Sequence, residues 1–213
     1  MYHSTDEAKT RRMDALRDRA QSCKRCALWE SRTNAVVGSG SLDAEIVLVG
    51  EAPGRTEDEL GLPFVGRAGN ILDEILVNAG LSRDEVFIMN IVKCRPPKNR
   101  RPKKLEMRSC MPFLVEQLEI IGPRVVAPMG NSPLSYFFQR FGLGRAVIGS
   151  VHGKAYQVDM EWGGVTLFPL YHPAAAIYNR NLKETLEKDM KRLAGLKGSQ
   201  RPEPLHHVRV GAE

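Results

Sequence analysis

A chain of 213 residues suits a single α/β domain and can bury a core without covalent staples. Its formal net charge of +6 is a moderate basic excess, which fits a nucleic-acid partner but also occurs on proteins that bind none. No apolar run nears the ~20 residues of a membrane span and there is no signal-peptide core. A soluble, intracellular (cytoplasmic) protein with no membrane partner is expected.

Residues 1–7 carry no pattern and are expected to fray, and a helix is predicted from about Glu7 to Ala20, delivering Cys23 just past its end. Glu45-Ile46-Val47-Leu48-Val49 is a short β-branched run stopped by Gly50, which reads as a buried strand. A loop rich in glycine, proline and acid follows. Ile71, Leu72, Ile75 and Leu76 then recur at helical spacing before Gly80. Val86 to Val92 is a second strand, and Leu105 to Ile121 is helical until Gly122-Pro123. Val125 to Met129 is a third strand, after which Asn131 or Ser132 can cap a helix. Val165 to Leu170 is the fourth strand, running into Tyr171-His172-Pro173, and a last amphipathic helix covers about Leu182 to Leu196. The segment from residue 197 to 213 lacks periodicity and is expected to be a disordered tail.

Strands alternating with helices imply one domain over residues 8–196. The predicted fold is a three-layer α/β/α sandwich around a central, mainly parallel four-stranded sheet. Such sheets bind ligands beyond the carboxyl ends of their strands. Glu51, Asn90 and His172 all fall at such ends.

The four cysteines are Cys23, Cys26, Cys94 and Cys110. The Cys-x-x-Cys pair lets two thiolates face one ion or cluster, and the loop and helix between Cys94 and Cys110 can fold back to add two more. Together they form a complete first shell for a tetrahedral zinc or a [4Fe–4S] cluster. A thioredoxin-like pair would leave two cysteines idle, secreted disulfides lack their compartment, and isolated buried cysteines would explain Cys94 and Cys110 only singly. Spacing favours a metal site and leaves zinc and iron–sulfur both open. Lys93, Arg95, Lys98, Arg100, Arg101, Lys103 and Lys104 crowd one proline-broken segment free of acid, a solvated loop or one shaped to approach phosphates.

Gly50-Glu51-Ala52-Pro53-Gly54 lacks the lysine of a P-loop and is too acidic to host phosphate well. Taken singly, Phe64 reads as a core aromatic, Asn90 as a strand-end amide bonded to backbone, and His172 as a satisfied structural histidine. Their company changes that reading. GEAPGRTED, GLPFVGRAGNILDEIL, NIVKCRPPKNRRP and YHPAA, in this order and with the four cysteines, resemble the family 4 uracil-DNA glycosylases, the iron–sulfur branch of that superfamily. The similarity covers about Cys23 to Leu193.

The resemblance implies that Cys23, Cys26, Cys94 and Cys110 hold a [4Fe–4S] cluster. It implies that Gly50, Glu51 and Ala52 line a uracil pocket with backbone groups, that Phe64 stacks on the base, that Asn90 reads it, and that His172 lies near uracil O2. It implies a monofunctional repair enzyme, expected to be monomeric, that takes uracil from single- or double-stranded DNA and releases free uracil. Ala52 stands where the best-known branch has a water-activating aspartate, so Glu51, with Glu57 second, is the candidate carboxylate beside the sugar. Lys98, Arg100 and Arg101 are the candidate contacts to the DNA backbone, and Ile177 a candidate wedge. The rival readings are a non-catalytic iron–sulfur DNA-binding or redox-sensing protein, a glycosylase for other bases, and a structural zinc protein.

Overall fold

The computed structural model describes the backbone of residues 3–203 and the side chains of residues 7–203. Strand β2 (Ile46–Gly50) shows how the layers arise. Its residues are all buried, and alternation sends Ile46 and Leu48 to one face and Val47 and Val49 to the other. Ile46 and Leu48 join Leu72, Ile75, Leu186 and Met190, which belong to α3 (Arg67–Asn78) and α8 (Arg180–Ala194). Val47 and Val49 join Met13, Leu16, Leu114 and Leu118, from α1 (His3–Gln21) and α4 (Lys104–Ile121). A strand covered on both faces must be apolar on both, which is why the sequence shows a continuous run rather than alternation.

Among the described residues the sheet has six strands, in the order β1-β3-β2-β4-β6-β5. Its parallel block is β3 (Val86–Asn90), β2, β4 (Val125–Pro128) and β6 (Gly163–Leu167). These are the four strands expected from sequence. The expectation of a four-stranded sheet is nonetheless corrected. Two antiparallel edges flank the block, β1 (Ser39–Gly40) on β3 and β5 (Tyr156–Met160) on β6. A two-residue Ser-Gly strand carries no propensity signal, and β5 buries only Val158, so neither has the apolar run that marks a central strand.

The remaining described helices are short: α2 (Arg55–Leu60), α5 (Asn131–Arg140), α6 (Ile148–Val151) and α7 (Pro173–Ala176). Helix α1 begins at His3, four residues before the predicted start. Neither expected cap serves α5. Gly130 is its N-cap, Asn131 Oδ1 accepts from the Ile148 N–H at 2.8 Å, and Ser132 turns to Glu51. Beyond Lys197 the first residues are anchored. The Gly198 N–H donates to Glu45 at 2.8 Å and Arg201 Nη2 donates to the Gly122 carbonyl at 3.0 Å. The rest of the expected tail, residues 204–213, lies outside the described residues.

Chain order runs from β2 to β3 on one side and to β4 on the other, so the crevice of this doubly wound sheet opens at the carboxyl ends of these three strands. Glu51, Asn90 and Gly130 all sit there.

Candidate active site and cysteine centre

Glu51, Ala52, Phe64, Asn90, Ser132 and His172 line one cleft at that crevice. Gly50, expected to line the cleft, is not among its lining residues and instead packs closely beneath two of them. A Cβ there would lie 2.3 Å from Asn90 Oδ1 and 2.6 Å from Phe64 Cζ, so no side chain fits between amide and ring. Gly50 and Asn90 are partners in the β2/β3 register, which fixes how far apart glycine and amide stand. The Asn90 side chain is 2% exposed and its Oδ1 has no hydrogen-bond partner. A buried acceptor left unpaired costs about 1–3 kcal/mol, so a protein keeps one where a ligand will satisfy it.

Phe64 adopts φ 52°, a left-handed conformation that bulky residues avoid, and its neighbours force it there. Arg83 donates to the carbonyls of both Pro63 (3.2 Å) and Phe64. Gly69 lets the Phe64 carbonyl approach so closely that a Cβ would sit 1.8 Å from it. The Phe64 and His172 rings are 5.5 Å apart and tilted by 33°.

His172 is the N-cap of α7, and its Nδ1 accepts from the Ala174 N–H at 3.1 Å. That bond assigns the ring proton to Nε2. Burial pushes the imidazole below its ordinary pKa, against the opposing pull of the Glu51 and Glu57 carboxylates, so the neutral tautomer prevails near pH 7. Gly130 stands behind the ring, where a Cβ would be 3.2 Å from His172 Cβ.

Glu51 accepts from the Ser132 hydroxyl, and Arg101 bridges the pair, its Nε 3.0 Å from Ser132 Oγ and 3.8 Å from the carboxylate. Glu57, the second candidate carboxylate, is committed elsewhere. Its Oε1 accepts from the N–H groups of Val65 (3.0 Å) and Gly66 (2.7 Å), and its Oε2 from Gly54 (3.1 Å). It binds the two loops of the cleft together and is a positioning group.

The basic segment divides. Arg100 is locked to Glu106 in a bidentate pair at 2.6 and 2.8 Å, which shapes the loop. Lys98, at φ 54°, is exposed, and Arg101 reaches the cleft. Lys93 leaves the group of solvated cations altogether, being 1% exposed.

The four cysteines line a second cavity together with Trp29, Arg32 and Lys93. Cys23 and Cys26 follow α1, Cys94 follows the turn after β3, and Cys110 lies in α4. Donors point at sulfur. Arg32 Nη1 is 2.9 Å from Cys94 Sγ, and the Lys93 N–H is 3.2 Å from Cys110 Sγ. As free thiols the buried pair resist ionisation. Burial pushes Cys110 up to about 11 despite Lys93, and raises Cys94 despite Arg32. Burial likewise pulls Lys93 down to about 8, while Cys110 and Cys94 are the charges that oppose the shift. Among the described residues no group of three His, Cys, Asp or Glu side chains is arranged to hold a single metal ion.

Sequence reasoning missed Ser132, Arg83 and Lys93 as members of these sites. Ser132 was expected as a cap and Lys93 as one more loop cation. Arg83, on a 3₁₀ turn twenty residues from Pro63, gives no local signal at all.

The sequence that builds this sheet and crevice is similar to those of known proteins. A family model described as the Uracil DNA glycosylase superfamily matches residues 37–194. A type-4 uracil-DNA glycosylase of Sulfurisphaera tokodaii is 45% identical over 185 residues, 86% of this chain and 84% of that relative. One from Archaeoglobus fulgidus is 44% identical over 89% of this chain and 96% of its own length. A type-5 uracil-DNA glycosylase of Pyrobaculum aerophilum is 30% identical over 88% of this chain and 87% of its own. This chain belongs to the uracil-DNA glycosylase superfamily and, within it, to the type-4 family.

Proposed function

We propose that this chain hydrolyses the N-glycosidic bond of uracil in single- or double-stranded DNA, leaving an abasic site and free uracil. It acts as a monofunctional, monomeric repair enzyme inside the cell. A base within a duplex is out of reach and must be extruded into the cleft. Phe64 replaces its lost stacking, worth on the order of 1–3 kcal/mol. Asn90 Oδ1 accepts from uracil N3–H while its amide N–H donates to O4. Cytosine offers the reverse pattern and would leave buried groups unpaired.

As the C1′–N1 bond breaks, its electron pair leaves with the base. The His172 Nε2–H donates to O2 and stabilises that anion, with backbone N–H groups of Glu51 and Ala52 beside it. Glu51, held by Ser132 and Arg101, faces the sugar as it becomes cationic. It takes a proton from the water whose oxygen bonds C1′. Lys98 and Arg101 meet phosphates, and Arg100 shapes their loop. Ile177, expected as the wedge, is half-buried, whereas Tyr178 is 82% exposed beside Arg67, which donates to its hydroxyl at 2.8 Å. Tyr178 is therefore the better candidate to fill the gap left by the base.

Cys23, Cys26, Cys94 and Cys110 hold a [4Fe–4S] cluster. Its fit rests on the all-sulfur donor set, the N–H groups aimed at two of the sulfurs, and a buried lysine that lines the same cavity. When bound, the cluster supplies a cross-link between three chain segments, and the hydrolysis needs no electron from it.

The observation that carries the function is the unpaired Asn90 Oδ1 beside an aromatic plate, for which a non-catalytic DNA-binding or redox-sensing protein has no use. Incubation with uracil-containing oligonucleotides followed by alkaline cleavage tests it. Strand breaks at uracil that vanish with Asn90→Ala are expected, and intact DNA with the wild-type protein contradicts the reading.

A further inference from the structure

Among the described residues Lys93 is one of the largest side chains to be fully buried. Its Nζ donates to the Asn90 carbonyl at 2.7 Å and touches Met89 Sδ at 3.9 Å. Its backbone N–H points at Cys110 Sγ and its carbonyl accepts from the Val36 N–H at 2.7 Å. The next residue is Cys94. Lys93 lines the cavity of the four cysteines, and among the described residues it makes no ion pair with a carboxylate. Burying an unpaired ammonium is expensive, so an apolar side chain of this length would serve packing better. The residue earns its place only if something negative occupies the cavity and something nearby needs its donor.

Both conditions meet at one residue. The carbonyl it grips belongs to Asn90, whose side chain forms the recognition end of the cleft, while Lys93 itself lines the cysteine cavity. We propose that Lys93 is a positioning residue that joins the two centres: its ammonium balances the negative four-thiolate cluster and, through the Asn90 carbonyl, sets the pose of the amide that reads the base. The inference rests on the assignment of the cluster to these cysteines. It goes beyond it by giving the cluster a structural line to specificity three residues long. Outer-shell partners of this kind typically change metal affinity or activity about 10- to 100-fold when removed.

Two variants separate the roles. Lys93→Met removes charge and donor and keeps the length. Lys93→Gln removes the charge and keeps a donor for Asn90. Met89→Leu, which touches the same ammonium without altering charge, is the control. Wild-type iron content and uracil excision, measured first, test the underlying assignments by themselves. The variants are then compared for rate of iron loss to a chelator, cluster reduction potential, and single-turnover rate on a uracil oligonucleotide.

Both lysine variants should lose iron faster by roughly 10-fold or more and shift the potential downward, because a nearby positive charge favours the reduced, more negative cluster. Lys93→Met should also slow uracil excision by about 10-fold, and Lys93→Gln should recover most of that rate without recovering the potential. Wild-type potential and iron retention in both variants would overturn the proposal. So would equal kinetic damage in Met and Gln. If both lysine variants fail to fold by circular dichroism while Met89→Leu folds, Lys93 is a packing residue and the proposal is wrong.

Discussion

The base cleft and the cysteine cavity lie on either side of Asn90-Ile91-Val92-Lys93, yet they are built on opposite terms. The cleft is nearly complete: Glu51 is held by Ser132 and Arg101, His172 by the Ala174 N–H, and one acceptor, Asn90 Oδ1, is left unpaired. The cavity, lined by four cysteines with Arg32 and Lys93, is unbalanced. Its buried thiols resist ionisation, yet a fully buried lysine lines the same cavity. A preorganised cleft spends stability for chemistry, so altering it should cost activity and leave the fold alone. A cofactor cavity contributes folding energy, so altering it should cost the fold first.

The sharpest way to break this contrast is Cys110→Ser. It should abolish iron binding and lower the melting temperature by on the order of 10 °C, read by absorbance and calorimetry. A variant that keeps wild-type stability would erase the distinction. Asn90→Ala should slow single-turnover excision by roughly 10²–10³-fold with a melting temperature unchanged or slightly raised, because an unpaired acceptor has gone. His172→Ala should cost about 10²-fold.

The wild-type pH profile sharpens the same point. The folded pKa of His172 lies below its unfolded value, so the neutral ring is favoured in the native state. Its stabilisation is full above the ordinary histidine pKa and is lost as pH falls towards the depressed folded value. Excision should stay flat through pH ~6.5 and fall only below it, since protonation of Nδ1 ejects the Ala174 N–H. A drop centred on the ordinary histidine pKa would contradict the neutral donor. The smallest effects belong to the basic loop. Lys98→Glu should weaken DNA binding a few-fold and flatten its salt slope by about one. Arg100→Glu should instead loosen the loop itself by losing Glu106.

The sequence made the parallel block legible because strands buried on both faces advertise themselves as unbroken apolar runs, as Ile46–Val49 and Val86–Met89 do. The edge strands stayed hidden because pairing on one side, with little burial, demands little of side chains. Cys23, Cys26, Cys94 and Cys110 could be grouped because thiols are scarce and their chemistry is shared. Phe64, Asn90 and His172 were legible only together, through the motifs around them. Lys93 was misread for a plain reason. A lysine in a run of cations looks solvated, and nothing local reveals that the turn after β3 folds it inward. Glu57 was likewise visible as a carboxylate, but the three amides that occupy it are a product of tertiary structure.

The central claim is that the unpaired amide oxygen of Asn90 awaits uracil N3–H. Single-turnover excision tests it most directly, comparing uracil with N3-methyluracil in the same oligonucleotide, for wild type and Asn90→Ala. The account predicts that methylation slows the wild type about 10²-fold and leaves the already slow variant almost unchanged. Equal sensitivity of both proteins to the methyl group would contradict it.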